Sequence, residues 1–69
     1  MKELTLTVNG EPRRLEGPAT LADLLAGLGL DARGVVVELN RRIVRRPQLA
    51  DTRLADGDVV ELVHFVGGG

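Results

Sequence analysis

An α+β domain is predicted by the 69-residue sequence, with one main helix packed on one face of a mixed sheet of four to five strands. Short segments in which apolar and polar residues alternate are typical of half-buried strands. A single segment instead has its apolar residues at helical spacing. Gly, Pro and Asn residues separate these segments, as they do at turns. The pattern indicates one small domain without a repeat or a linker.

The first element is a hairpin. Residues 3–8 alternate, so that Leu4, Leu6 and Val8 share one face of a strand. Asn9-Gly10 follows, and this dipeptide favours a type I′ turn because both central positions need a positive φ. A second short strand, about residues 13–16, returns beside the first. Pro12 lacks an N–H group and suits the start of an edge strand.

The helix is predicted to begin after Gly17-Pro18, which breaks the sheet. Thr20 lies three residues before Asp23, a spacing typical of a capping box. An apolar stripe with helical spacing follows, formed by Leu21, Leu24, Leu25 and Leu28. Gly29 can supply the left-handed residue that ends the helix. Gly27 lies in the last turn, where its missing side chain would permit close approach to the sheet.

The second half of the chain is predicted to form three strands. Residues 35–39 and 42–44 form a pair joined at Asn40, and residues 59–66 form the last strand after a turn at 56–58. Residues 48–55 are expected to be irregular with a helical turn, with Leu49 and Leu54 in the core. The helix must cover the sheet, and the last strand is apolar enough to lie at its centre, parallel to the first. This is the β-grasp arrangement.

Composition excludes several kinds of function. The chain has no cysteine and one histidine, so it cannot form a structural zinc site. Its net charge of −1 and single aromatic residue argue against nucleic acid binding. It lacks an apolar run of roughly 20 residues and a secretory signal, so we expect no membrane association and a cytoplasmic location.

The chain ends in Gly67, Gly68 and Gly69. We expect residues 1–66 to form the β-grasp domain and residues 67–69 a flexible tail, because ordered glycine loses the most backbone entropy. A terminal carboxylate is ionised near neutral pH, and side-chain-free residues can thread a narrow channel. These are the properties of a terminus that reacts through its own carboxylate. A truncated linker is the alternative interpretation.

Taken together, these segments resemble the ThiS family of ubiquitin-like sulfur carriers over essentially the whole chain. The matching segments are Asn9-Gly10, residues 36–40 and 43–45, residues 56–66, and the terminal Gly68-Gly69. The resemblance implies that Gly69 is adenylated by an E1-like enzyme, ThiF, and converted to a thiocarboxylate. The sulfur would come from a donor such as a cysteine desulfurase and pass to thiazole synthase, ThiG.

The resemblance also implies that the chain is a co-substrate and not an enzyme. It would bind no cofactor itself, and ATP and Mg²⁺ would belong to the activating partner. Gly67 and Gly68 would thread into that partner ahead of Gly69. With no cysteine, the chain cannot carry sulfur as its own persulfide.

Two surfaces are candidates for docking. Glu61, Val63 and Phe65 alternate to the sheet face away from the helix, where an apolar pair is not needed for folding and favours a partner. Alternatively, these side chains cover each other or the end of the sheet. Four arginines flank residues 43–44 and either steer a partner or block edge-to-edge pairing: Arg41, Arg42, Arg45 and Arg46.

Other functions remain compatible with the residues. A carrier of the same type serves tRNA thiolation or molybdopterin synthesis, and a ubiquitin-like modifier is attached to proteins through the same chemistry. A regulatory binding module would need no free terminus. An enzyme is disfavoured because the chain has one histidine, His64, no cysteine and no glycine-rich phosphate loop.

Overall fold

The computed structural model describes residues 2–64, which form a five-stranded mixed sheet, an α-helix and two short 3₁₀ helices. No helix in that range has the length and hydropathy required to cross a bilayer. The 3₁₀ helices span Ala32–Gly34 and Arg46–Asp51. The other elements are β1 (Lys2–Val8), β2 (Glu11–Gly17), α1 (Leu21–Gly27), β3 (Val35–Leu39), β4 (Arg42–Val44) and β5 (Val59–His64).

The strand order β2-β1-β5-β3-β4 places the last strand at the centre of the sheet. β5 runs parallel to β1, with Val8 beside Val60, and antiparallel to β3. The other two pairs are antiparallel hairpins. Pro12 lies on the edge strand β2, where a missing N–H group is tolerated. The predicted β-grasp fold is therefore confirmed.

The core lies between α1 and one face of the sheet. Alternate residues of β1, β3 and β5 are buried there with the apolar stripe of α1. Leu49 and Leu54, predicted as core residues, are 3% and 7% exposed and close the side of this layer. The most buried large side chains are Leu6, Leu21, Leu25, Val37 and Val60. Every buried side chain of this core within residues 2–64 is aliphatic, from Leu, Val or Ala.

Hydrogen bonds at both ends fix the bounds of α1. The hydroxyl of Thr20 accepts from the Asp23 N–H at 3.2 Å, and the Asp23 carboxylate accepts from the Thr20 N–H at 2.9 Å. This is the predicted capping box. At the other end the Leu30 N–H donates to the Leu25 carbonyl, and the Gly29 N–H donates to the Ala26 carbonyl. These two bonds form a Schellman motif.

Gly27 and Gly29 differ in what they contribute to the end of the helix. Gly29 has φ +73°, the left-handed conformation that the sequence predicts for it. Gly27 is exposed, and a Cβ atom added there would meet nothing within 4 Å. The prediction that Gly27 permits close approach to the sheet is therefore wrong. It lies on the solvent side of α1 and only weakens the helix.

We therefore expect Gly27→Ala to raise the free energy of unfolding by about 0.5–1 kcal/mol, because alanine loses less backbone entropy in a helix. Gly29→Ala should lower it by about 1–2 kcal/mol, since an L residue is strained at positive φ. Urea denaturation followed by circular dichroism measures both. Equal shifts for the two variants would contradict this account of the helix end.

Candidate functional site

The predicted reacting group, the carboxylate of Gly69, follows β5 in the sequence. This strand reaches His64 at the centre of the sheet. Gly69, the threading residues Gly67 and Gly68, and the docking residue Phe65 lie outside the described residues. Their roles remain predictions, whereas the structure describes the strand that precedes them.

The start of β5 is fixed to β1 by the turn that precedes it. The Asp56 carboxylate accepts from the Thr5 N–H at 2.7 Å, and the Gly57 N–H donates to the Thr5 carbonyl at 2.8 Å. Within the turn, the Asp58 carboxylate accepts from the Ala55 N–H at 2.7 Å. Gly57 has φ +90°, as this sharp reversal requires. The turn therefore sets where β5 enters the sheet.

Two asparagines hold β5 through their side chains. Asn9 and Gly10 have φ +50° and +82°, which confirms the predicted type I′ turn. Asn40 and Arg41 have φ +50° and +71°, so the β3–β4 hairpin adopts the same conformation without glycine. The amide oxygen of Asn40 accepts from the Val59 N–H at 2.9 Å, and its amide nitrogen donates to Asp58. This second turn therefore also secures the start of β5.

Asn9 extends the pairing of β5 beyond the end of β1. β1 runs beside β5 only as far as Val8, which lies opposite Val60, and then turns away. The N–H groups of successive residues in a strand point alternately to its two sides, so the next N–H group of β5 on the β1 side belongs to Leu62. The amide oxygen of Asn9 accepts it at 2.7 Å, across 53 residues of sequence. The side chain replaces the missing strand partner and holds the segment that leads to the tail.

We expect Asn9→Gly to lower the free energy of unfolding by about 1 kcal/mol, because the turn persists but the Leu62 N–H loses its acceptor. Asn9→Asp is the matched control, since aspartate keeps an acceptor oxygen and tolerates positive φ. Amide hydrogen exchange should be faster at Leu62 in the glycine variant than in the aspartate variant. Equal Leu62 protection in both variants would show that this hydrogen bond does not hold β5.

The sheet face away from the helix carries the predicted docking residues. On β5, Val60 and Leu62 are buried under α1, whereas Glu61 and Val63 are exposed on the other face, as the alternation predicts. We call this surface the outer face. The name is used here for the part of that face on β3, β4 and β5, whose residues are Val36, Glu38, Ile43, Val59, Glu61 and Val63.

The outer face is larger than the sequence predicts. Ile43, Val59 and Val63 are 67%, 44% and 56% exposed, although all three are large and apolar. Val36 lies directly opposite Val63, and Glu38 directly opposite Glu61. Alternation within β3 could have identified Val36 and Glu38 as outward residues. Their pairing with β5 required the register, which no local pattern supplies. The docking role of Glu61 and Val63 remains a prediction.

The four arginines of the predicted electrostatic surface lie at the β4 end of the sheet. β4 is an edge strand, and all four side chains are exposed. Arg42 alternates with Ile43 and so lies on the opposite face of the strand. Arg45 and Arg46 line an open depression of about 410 Å³ beside Arg33. Arg41 occupies the turn described above. Charged residues at an edge strand are in a position to block edge-to-edge pairing with another sheet. Electrostatic steering of a partner by these arginines remains a prediction.

One of the arginines that line this depression, Arg33, forms an ion pair with Asp31. The Arg33 guanidinium donates to the Asp31 carboxylate at 2.8 Å. This hydrogen bond lowers the pKa of Asp31 to about 2, and the positive charge of Arg46 adds a smaller lowering. Asp31 also accepts from the Arg33 N–H and so caps the 3₁₀ helix that precedes β3. The depression is therefore a basic region with one neutralised arginine.

Known proteins share both the sequence and the fold. The chain matches the ThiS family over residues 6–69. It is 45% identical over 62 residues to the sulfur carrier protein ThiS of Thermus thermophilus, covering 90% of this chain and 95% of that protein. The crystal structure of the thiamine biosynthesis protein ThiS from Geobacter metallireducens superposes with a TM-score of 0.80 at 39% identity. That alignment covers 96% of this chain and 100% of the other.

A longer relative also contains this sequence. The thiazole synthase of Paramagnetospirillum magneticum is 42% identical over 66 residues, which is 96% of this chain. The chain spans only about a fifth of the length of that synthase. The family match covers most of the chain, and the Thermus relative matches almost end to end. By sequence and by fold, the chain belongs to the ThiS family.

Proposed function

We propose that this chain is a sulfur carrier of thiamine biosynthesis and that the carboxylate of Gly69 carries the sulfur as a thiocarboxylate. The observation that carries the proposal is the 45% identity to a sulfur carrier protein ThiS over 95% of that protein's length. The family match extends to Gly69 itself. The strand that precedes the tail in sequence, β5, is hydrogen-bonded on both sides.

The chemistry requires activation of a poor electrophile. A carboxylate oxygen of Gly69 attacks the α-phosphorus of ATP, and pyrophosphate leaves. The terminal sulfur of the persulfide on a donor such as a cysteine desulfurase then attacks the carbonyl carbon, AMP leaves, and an acyl disulfide with the donor cysteine forms. A thiol reductant cleaves the S–S bond by forming a disulfide with the donor cysteine, which releases the sulfur on Gly69. The product is a thiocarboxylate in which one sulfur replaces one oxygen. ATP and Mg²⁺ belong to the E1-like activating enzyme, and the carrier binds no cofactor of its own.

The acceptor of the sulfur is a thiazole synthase of the ThiG type. This step is supported by the synthases of Paramagnetospirillum magneticum and Magnetococcus marinus, each of which includes a segment similar to 66 residues of this chain. A carrier and its acceptor that meet at every cycle gain effective concentration when they share one polypeptide. The carrier acts as a cytoplasmic co-substrate of these partners and not as an enzyme.

Within the carrier, the roles divide between the domain and the tail. Glu61, Val63 and Phe65 dock the partner, and Gly67 and Gly68 pass through its channel because they lack side chains. Gly69 places its carbonyl carbon at the reacting centre. A narrow channel selects against any Cβ atom, which explains why three glycines follow one another.

Reconstitution tests the proposal directly. The purified chain is incubated with an E1-like adenylyltransferase of the ThiF type, ATP, Mg²⁺ and a sulfur donor, and its intact mass is measured. We expect the mass gain of exchanging one oxygen for sulfur, localised to Gly69 by fragmentation and absent without ATP. The Thermus thermophilus carrier serves as the positive control. No mass gain under conditions that convert the control would overturn the proposal.

The pathway is tested in cells. Deletion of the gene should cause a requirement for thiamine or its thiazole precursor, with tRNA thiolation and molybdopterin unchanged. Addition of the thiazole moiety should restore growth. A loss of thiolated tRNA without thiamine auxotrophy would instead assign the carrier to a different acceptor.

A further inference from the structure

Two carboxylates lie side by side at the centre of the outer face. Glu38 of β3 is directly opposite Glu61 of β5 in the antiparallel register. Directly opposed residues have Cβ atoms roughly 5 Å apart, and like charges in this arrangement destabilise a sheet. The repulsion therefore destabilises the folded state, and the fold does not require both residues to be acidic.

Within residues 2–64 the structure offers this pair no cation. The salt bridge found in that range joins Arg33 to Asp31, and no side-chain hydrogen bond there involves either glutamate. Arg42, the nearest arginine in β4, lies on the opposite face of its strand from Ile43. Arg45, just beyond the end of β4, is two residues from Ile43, but within the described residues it forms no salt bridge or side-chain hydrogen bond with either glutamate.

The surroundings of the pair are apolar. Ile43 of the neighbouring strand β4 lies opposite Glu38, and Val36 is two residues from Glu38 in β3. Val59 and Val63 are each two residues from Glu61 in β5. Exposed apolar side chains of this kind mark a surface that becomes covered. A partner that covered them would remove water from both carboxylates, and desolvating two unpaired charges is costly. The covering surface must therefore bring a positive charge.

We propose that the outer face docks an apolar surface of the E1-like activating enzyme that carries one arginine or lysine, with the cationic group between the carboxylates of Glu38 and Glu61. Arginine fits best because its planar guanidinium has five donors and can bond two carboxylates at once. This inference rests on the proposed function for the identity of the partner. The repulsion between the two carboxylates in the free carrier is then relieved on docking.

The charge pattern also fixes the orientation of the partner. An acidic centre at Glu38 and Glu61 adjoins a basic edge at Arg41, Arg45 and Arg46. A partner with the complementary pattern docks in one orientation, since the reversed one would oppose like charges.

The sheet offers a matched control for the test. Glu3 and Glu16 are also directly opposite each other, on β1 and β2, and lie on the same face of the sheet. Their neighbours two residues along the strands are Thr5 and Arg14, so this second pair lacks the apolar surroundings. The proposal assigns no docking role to it.

The test compares Glu38→Gln and Glu61→Gln with Glu3→Gln and Glu16→Gln. Each variant is titrated into the activating enzyme without ATP to obtain Kd, and its adenylation is measured to obtain kcat and KM. For Glu38→Gln and Glu61→Gln we expect an unchanged or higher urea midpoint, about a tenfold increase in Kd and KM, and an unchanged kcat. Their binding should also depend less on salt. The two control variants should bind as the natural chain does.

The outcomes separate this inference from the proposed function. Unchanged Kd in Glu38→Gln and Glu61→Gln overturns the docking inference, even if Gly69 still acquires sulfur. Weakened binding in these variants, with no thiocarboxylate formed by the natural chain, supports the docking surface and overturns the sulfur chemistry. A lowered urea midpoint that accounts for the loss of binding would assign the glutamates a structural role and also overturn the inference.

Discussion

A variant extended by one alanine after Gly69 is expected to form no thiocarboxylate. The extension converts the Gly69 carboxylate into an amide, which ATP cannot adenylate. The new terminal carboxylate belongs to a residue with a Cβ atom and is displaced by about 3.5 Å, the length of one extended residue. Reconstitution with the activating enzyme and mass measurement detects the loss. Folding should be unchanged, because the buried core residues that the structure describes, from Leu4 to Leu62, all precede the tail.

Deletion of Gly69 provides a second variant with a different defect. It restores a terminal glycine carboxylate at Gly68 but shortens the tail by one residue. We expect binding of the enzyme to persist and adenylation to fall by at least about 100-fold, since even a 1 Å misplacement of a reacting group can have that effect. An alanine added before Met1 is the control for the extended chain. Full activity of the extended chain would show that Gly69 is not the reacting residue.

Leu25→Ala is expected to unfold much of the protein at 37 °C. Leu25 is 2% exposed and packs between α1 and the sheet. Truncation of a buried leucine costs about 2–5 kcal/mol. A single core of this size rarely supplies more than about 3–5 kcal/mol, and this chain has no disulfide to add to it. Urea denaturation and far-ultraviolet circular dichroism measure the change.

Ile43→Ala is the matched control for this prediction. It also removes an aliphatic side chain, but from a position that is 67% exposed on the outer face. We expect its free energy of unfolding to change by less than about 0.5 kcal/mol, as for most surface substitutions. Similar losses in the two variants would mean that burial under α1 does not dominate stability.

Local signals predicted the elements of the fold because each depends on residues close in sequence. The Asn9-Gly10 turn needs two residues that accept positive φ, and both have it. The capping box joins Thr20 to Asp23 across three residues. The central position of β5 followed from its apolar composition together with the crossover rule. The end of α1 at Gly27 likewise agrees with the helical spacing of the leucines and with the stop signal at Gly29, which are also local signals.

The features that depend on register could not be predicted in the same way. The Asn9 amide oxygen accepts from the Leu62 N–H across 53 residues, and the opposition of Glu38 and Glu61 spans β4, a 3₁₀ helix and the turn before β5. A shift of one residue between strands would destroy both, and no local propensity encodes it. Arg41 shows the reverse case, because a residue that disfavours positive φ adopts +71° where the hairpin demands it. At such positions tertiary packing, and not local propensity, determines the backbone conformation.

The central position of β5 has a mechanical consequence. Inter-strand hydrogen bonds are perpendicular to an antiparallel strand, so a pull along the axis of β5 loads its bonds in shear and breaks them together, not one at a time. The Asn9 and Asn40 amides add two further anchors along this line. An enzyme that drew in the tail would therefore pull on a strand that is paired on both sides, with β1 and with β3. Such tension would be shared by both neighbouring strands, and the sheet would not open from one edge.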